Sequence, residues 1–157
     1  LVSEQHSRFN YHFNDRVPVV MAEIHTEIPE RCDLHTMLQE PVVKAVMFLT
    51  AQEVREGPLS FMPHARSTQW FIHGQDIIPA EGGKLPAMRF MAEANGWTPD
   101  ELMAFGDSEN DNEMLRYAGT GVAMGNALEE TKAASDYVTD DCDDEGVAHA
   151  LAHFALI

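Results

Sequence analysis

The sequence has few cationic residues and no long apolar run, and each shortage excludes a class of protein. Lys and Arg number 10 against 26 Asp and Glu, so the formal net charge is −16. A chain this acidic repels the phosphate backbone, and we therefore expect no nucleic-acid partner. No apolar run approaches the roughly 18 residues that a membrane-spanning helix needs, so we expect no membrane partner.

Cysteine is also scarce, and the start of the chain lacks the features of a leader. Cys32 and Cys142 are too few for a disulfide framework and too far apart for a zinc knuckle. They indicate a reducing, cytoplasmic compartment. The first residues include neither an initiator Met nor the basic and apolar regions of a signal peptide. We therefore expect the chain to begin inside a longer protein.

The residues that are present favour a globular α/β protein in two parts. Hydrophobic residues make up 45% of the 157, which is enough for a buried core and excludes collagen-like, coiled-coil and disordered classes. The break at 79–83, Pro-Ala-Glu-Gly-Gly, predicts an organisational boundary. Residues 82–157, beyond it, hold 15 of the 26 acids.

Before this boundary the pattern is irregular. Residues 42–50 are rich in β-branched side chains and predict a buried strand. Two further strands are predicted at 69–73 and 76–78. The first forty residues predict no regular element, although 17–21 form a short apolar run.

After the boundary the pattern becomes regular. A helix is predicted with Pro86 at its first position and Gly96 just past its end. Thr98 and Glu101 have the spacing of a capping box, which predicts a helical turn before a strand at 102–105. The pattern then predicts helix 109–117, strand 121–124, helix 128–134, strand 136–139 and helix 145–154.

This alternation predicts a Rossmann-like fold, with a parallel sheet and helices on both faces. In such sheets ligands bind at the carboxyl ends of the strands. Asp107 directly follows the strand at 102–105, and Asn110 and Asp111 follow at the start of a helix. Three oxygen-bearing side chains there can hold a hard cation such as Mg²⁺. The alternative is a simple turn, with acids favoured by the helix dipole.

Residues 102–115, Leu-Met-Ala-Phe-Gly-Asp-Ser-Glu-Asn-Asp-Asn-Glu-Met-Leu, resemble the fourth motif of the haloacid dehalogenase (HAD) superfamily. The resemblance is closest to its Cof-like phosphatase branch. It continues through Gly-Val-Ala-Met-Gly-Asn-Ala at 121–127 and through 132–139. The chain then corresponds to the C-terminal half of a HAD core, 82–157, preceded by part of an α/β cap domain, 1–81.

The resemblance implies Mg²⁺-dependent hydrolysis of small phosphate monoesters, such as sugar phosphates, through an aspartyl-phosphate. It implies that Asp107 ligates Mg²⁺ and that Asn110 faces the phosphate or metal. Lys84 matches the lysine of the third motif, which neutralises the transferring phosphoryl group. Asp111 matches the acid that supports the metal site and pairs with that lysine. The alternative for Lys84 is a solvated lysine at a helix start, because Gly82-Gly83-Lys84-Leu85-Pro86 departs from the family pattern.

In the family the cap selects the leaving group, so four side chains in the predicted cap are candidate substrate contacts. These are His64, Arg66, Trp70 and His73. The alternative for each is an ordinary residue of the cap surface or core.

The nucleophile motif of the family, Asp-x-Asp-Gly-Thr, does not occur in residues 1–83, and neither does the Ser/Thr motif that follows it. Asp141-Cys142-Asp143 has a similar spacing, but we interpret it as acids at a helix N-terminus. It is no calcium loop either, because Ala152 stands where Glu is needed. His149 and His153 are interpreted as an exposed helix face.

Two hypotheses follow. The chain is the C-terminal part of a phosphatase that is inactive alone and associates with the missing N-terminal half or with itself. Alternatively, it is a degenerate, non-catalytic domain that retains metal or phosphate binding or serves as an interaction module.

Overall fold

The computed structural model describes residues 1–9 and 14–157, which form two compact units, Leu1–Glu81 and Gly82–Ile157. The assignment of the first unit to a cap and of the second to a core stays a prediction.

The first unit is built on a four-stranded antiparallel sheet. Its elements are β1 Val2–Ser3, α1 Arg16–Glu23, α2 Leu34–Met37, β2 Val42–Met47, α3 Ala51–Glu56, β3 Ala65–Phe71 and β4 Gly74–Pro79. The strand order is β1-β2-β4-β3, and a 3-10 turn over Pro58–Phe61 precedes β3.

The core of the first unit forms where α1 packs near the end of β2. Val17, Val20 and Met21 lie on one face of α1 at helical spacing and are buried together with Phe48. Pro18 lies in the first turn of this helix, where a missing N–H costs no intrahelical hydrogen bond. The apolar run at 17–21 is therefore a helix, which the sequence pattern did not predict.

The predicted strand at 42–50 is shorter and less buried than expected. Strand β2 ends at Met47, and Val42 and Val43 at its start are exposed. The strand stops because Thr50 caps α3: its N–H donates to Glu53 Oε2 at 2.7 Å, and its Oγ1 accepts from Glu53 N at 3.2 Å. The exposed residues are compatible with an antiparallel sheet, because such a sheet can have one face in solvent.

The strand predicted at 69–73 is instead β3, Ala65–Phe71. It pairs with β4, so that Thr68 lies opposite Asp76. Ile72 and His73 form the turn between the two strands because β4 already begins at Gly74.

The second unit confirms the predicted α/β class. Its elements are α4 Lys84–Asn95, β5 Met103–Gly106, α5 Asn112–Tyr117, β6 Thr120–Ala123, α6 Glu129–Lys132, β7 Tyr137–Val138 and α7 Gly146–His153. Strands β5, β6 and β7 form a parallel sheet in that order, and a helix follows each strand.

Helix α4 begins two residues earlier than predicted. Lys84, not Pro86, is its first residue, and Gly83 precedes it with a φ of 125°. Pro86 is tolerated as the third residue of the helix because the first four N–H groups of a helix have no intrahelical partner. Gly96 ends the helix in the left-handed region at φ 71°, as predicted.

The core of the second unit packs α5 against β5. Ala104, Leu115 and Ala118 are buried there, and Met88 of α4 packs against them. This packing fixes the segment between β5 and α5, at the carboxyl edge of the sheet. In the part of the chain that the structure describes, no helix combines the length and the apolar character needed to cross a membrane.

Candidate functional site

The site lies where β5 ends and α5 begins. A 3-10 turn over Glu109–Asp111 leads directly into α5, so the chain reverses within a few residues of Gly106. The Asp111 N–H donates to the Ser108 carbonyl at 3.0 Å and closes this turn. The turn places Asp107 and Asp111 at the same sheet edge.

Asp111 is the centre of the site. It is 1% exposed, and its Oδ1 contacts Lys84 Nζ in an ion pair. Its Oδ2 accepts from Asp107 N at 3.0 Å and from Ser108 N at 3.2 Å. Three donors therefore compensate the burial of this carboxylate, which would otherwise be costly.

Lys84 reaches the site from the first residue of α4. Its side chain is 48% exposed, whereas that of Asp111 is almost fully buried. The ion pair thus holds a cationic group at the surface while its anionic partner is anchored below. The structure brings Lys84 and Asp111 together, although they lie 27 residues apart in the sequence.

Gly106 is required by space, not by an unusual backbone conformation. It is not among the glycines of positive φ. A Cβ placed on it would come within 2.8 Å of Asp111 Cγ. The glycine therefore lets the buried acid pack directly against the end of β5.

Asp107 and Asn110 leave oxygen atoms available. Asp107 is exposed, and within residues 1–9 and 14–157 no hydrogen bond engages its carboxylate. Asn110 Oδ1 is buried and has no partner among the described groups. Such an acceptor requires a donor or a cation.

These oxygen atoms fit a hard cation. Mg²⁺ is bound through one or two carboxylates and keeps several waters or takes phosphate oxygens. The free carboxylate of Asp107 matches that demand, and Asn110 Oδ1 is a second oxygen from the same turn. The ammonium group of Lys84, tied to the same Asp111, offers donors to an anion.

The Asp141-Cys142-Asp143 segment has a local structural role. Asp141 Oδ1 accepts from Asp143 N at 3.3 Å and caps a 3-10 turn over Cys142–Asp144. The ligand atoms of these three residues lie within 4.8 Å of one another. However, the hydrogen bond to Asp141, with burial and the charges of both acids, raises the pKa of the Cys142 thiol. This opposes a thiolate ligand or nucleophile.

The two histidines of α7 make separate contacts. His149 Nδ1 lies 2.8 Å from Asp140 Oδ2, and the His153 ring stacks on Tyr137 at 4.4 Å between centroids. The predicted exposed face thus includes one ring that packs against its neighbours.

The candidate substrate contacts of the first unit lie on or beside β3. His64 is exposed, whereas Arg66, Trp70 and His73 are half-buried. Trp70 packs against the core cluster around α1. A cavity of about 520 Å³ in this unit is lined mostly by apolar side chains and includes Trp70 but none of the other three candidates.

Comparison with known proteins identifies the family. The model of the haloacid dehalogenase-like hydrolase family matches residues 13–151. The chain belongs to the haloacid dehalogenase-like hydrolases. Within this superfamily it resembles subclass IIB and the Cof-like branch, which confirms the resemblance carried by residues 102–139.

Individual relatives agree with this assignment. A phosphoglycolate phosphatase of Methanothermobacter thermautotrophicus is 33% identical over 152 residues, which cover 91% of this chain and 67% of that protein. YkrA of Bacillus subtilis is 31% identical over 137 residues, 87% of this chain and 52% of YkrA. A solved sugar phosphatase of HAD subclass IIB superposes with a TM-score of 0.85 at 30% identity, covering 99% of this chain and 60% of that one. The chain thus spans roughly half to two thirds of the length of these relatives.

Some contributors to the site carried no separate sequence signal. The Leu128 N–H donates to the carbonyl of Asp107 at 3.0 Å, and the Ser108 N–H bonds Asp111. Both are backbone groups, which any residue type except proline can supply.

Proposed function

We propose that this chain carries the metal- and phosphate-binding part of a Mg²⁺-dependent phosphatase of small phosphate monoesters, such as sugar phosphates or related metabolites. The observation that supports it is the position of Asp111. This one buried carboxylate holds Lys84 on one oxygen and the backbone beside Asp107 on the other. The Asp111 carboxylate thereby holds both the ammonium group of Lys84 and the backbone that carries the free carboxylate of Asp107.

Each side chain then has a distinct task. Lys84 donates hydrogen bonds to the phosphoryl oxygens and neutralises their charge, while Asp111 keeps the ammonium group in place. Asp107 holds Mg²⁺, and Asn110 directs its amide to the metal or the phosphate. Bound Mg²⁺ supplies further positive charge, which lets an anionic nucleophile approach a phosphate dianion.

The nucleophile belongs to a segment that residues 1–157 do not contain. In the proposed reaction an aspartate oxygen outside them bonds to phosphorus, and the bond from phosphorus to the leaving oxygen breaks. Water then hydrolyses the aspartyl-phosphate and releases phosphate. The partners proposed for this chain are a small phosphorylated metabolite, an N-terminal half that carries the nucleophile, or a second copy of the chain. We also propose a cytoplasmic location, because both cysteines are free.

The test is a complementation assay with p-nitrophenyl phosphate and Mg²⁺. The 157-residue chain is expected to show no turnover alone and to gain it when mixed with an N-terminal half that carries the Asp-x-Asp-Gly-Thr motif. In this mixture Asp107→Asn should raise the Mg²⁺ concentration for half-maximal rate at least about tenfold. Glu109→Gln is the matched control, since Glu109 is an exposed acid two residues away.

Two outcomes would contradict the proposal. One is turnover by the complemented enzyme that is equally dependent on Mg²⁺ in the Asp107→Asn and Glu109→Gln variants. The other is no turnover with any such N-terminal half while Mg²⁺ binding is retained, which would support the non-catalytic hypothesis instead.

A further inference from the structure

Both peptide groups that flank Asp107 have all of their polar atoms hydrogen-bonded. The N–H groups of Asp107 and of the next residue bond Asp111 Oδ2. The two carbonyl groups bond elsewhere: Gly106 O accepts from Met124 N at 3.0 Å, and Asp107 O accepts from Leu128 N at 3.0 Å. The backbone on either side of this residue is therefore fixed by two separate parts of the unit.

This arrangement has a consequence for the carboxylate itself. No described group hydrogen-bonds the Asp107 side chain, so its direction is set by the backbone and by two side-chain torsions. A divalent cation bound there would depend on the orientation of the peptide groups. We propose that the turn at 124–128 positions the Asp107 carboxylate for a divalent cation, with the Leu128 N–H as the positioning group. This inference rests on the proposed function.

The turn is itself held in place, so it can act as a fixed support. The Ala127 N–H closes it by donating to Met124 O at 2.9 Å, and the Gly125 N–H donates to Asp140 O at 3.0 Å. Gly125 also lies against the loop that follows β7, because a Cβ on it would come within 2.7 Å of Asp141 N. The turn thus links the loops at the ends of all three strands.

A substitution at Leu128 can remove the hydrogen bond to the Asp107 carbonyl with little other change. Its φ is −60°, which suits proline, and it precedes the first residue of α6. Its side chain is 50% exposed, so little packing is lost by truncation. Leu128→Pro removes the N–H, whereas Leu128→Ala keeps it and serves as the matched control.

The experiment uses the 157-residue chain and two readouts. Amide hydrogen exchange at Ser108 is expected to accelerate about three- to tenfold in Leu128→Pro, because the net stabilisation by one hydrogen bond corresponds to a factor of this size. It should stay unchanged in Leu128→Ala. Exchange at Val122 in β6 should not change in either variant. The dissociation constant for Mn²⁺, followed by its paramagnetic resonance signal, should rise about tenfold in Leu128→Pro alone.

A second variant covers the case in which proline prevents folding. Gly125→Ala pushes the turn away from the loop after β7, so the Leu128 amide should lose protection and Mn²⁺ should bind more weakly. Equal acceleration at Ser108 and Val122, or an unchanged Mn²⁺ affinity with Ser108 deprotected, would overturn the inference. If the unmodified chain binds no Mn²⁺, the proposed function is wrong. In that case, exchange at Ser108 in Leu128→Pro still shows whether the turn orders the backbone at Asp107.

Discussion

Replacing Asp111 by Asn tests whether this acid is the anchor of the site. Asparagine has the same shape but only one acceptor oxygen, and its other terminal group is a donor. If the oxygen faces the two backbone N–H groups, the amide faces the ammonium group of Lys84. If the side chain flips, the amide faces the backbone donors. Either orientation places donors against donors in a buried position.

The expected cost follows from the contacts. Two backbone hydrogen bonds change from a charged to a neutral acceptor, at about 1 kcal/mol each. The ion pair adds about 0.5–1 kcal/mol, because Lys84 is half exposed and solvent screens the pair. We therefore expect Asp111→Asn to lower the free energy of unfolding of the second unit by about 3 kcal/mol. Lys84→Gln, which leaves the backbone bonds intact, should cost about 1 kcal/mol.

The assay is urea unfolding followed by tryptophan fluorescence. The chain has two tryptophans, Trp70 in the first unit and Trp97 in the second. In a Trp70→Phe background the emission of Trp97 reports the second unit alone. The reasoning would be refuted if Asp111→Asn destabilised this unit no more than Lys84→Gln does.

Two further predictions concern packing and pH. Gly106→Ala should destabilise the second unit by about 1–3 kcal/mol, because the new Cβ overlaps Asp111. Gly96→Ala, at positive φ with open space around it, should cost about 1 kcal/mol in the same unfolding assay, and a reversed order would contradict the packing argument. In the first unit, the hydrogen bonds from Arg16, at 2.6 and 3.1 Å, lower the pKa of Glu53 from 4.5 to about 2, with help from the capping bonds of its own helix. Because this folded-state pKa is depressed, the contribution to stability is present above pH 4.5 and is lost as the pH falls towards 2. Arg16→Gln should raise the Glu53 pKa in a carboxyl-carbon NMR titration, and an unchanged value would exclude the ion pair as its main cause.

The second unit was largely predictable because its boundaries are marked by local chemistry. Gly96 ends α4 through a conformation that glycine adopts readily, and Thr98 with Glu101 starts the next turn. The first unit has such a marker at α3, the capping box of Thr50 and Glu53, but α1 begins without a side-chain cap. A short apolar run containing Pro18 does not distinguish a strand from a helix, and packing against Phe48 decides the outcome.

Some residues of the candidate site were likewise predictable from the sequence, and others were not. Asp107, Asn110 and Asp111 are close in sequence, so their spacing alone brought them together at one turn. The contact of Lys84 with Asp111 depends on how α4 packs, which spacing does not reveal and only the family resemblance supplied. The role of Leu128 could not be predicted, because a backbone N–H leaves no trace in residue type.

The hydrogen bonds around Asp107 also determine how the site should respond to heat. The entropy of ordering this loop is already lost when the second unit folds, so a bound cation does not have to order it again. The affinity for the cation should then follow the local opening of the turn that ends at Leu128. Short turns open at lower free energy than the sheet that carries them. On warming, cation binding should therefore weaken before the parallel sheet unfolds. The decline in affinity would then report the opening of the turn at 124–128, not a change in the Asp107 carboxylate itself.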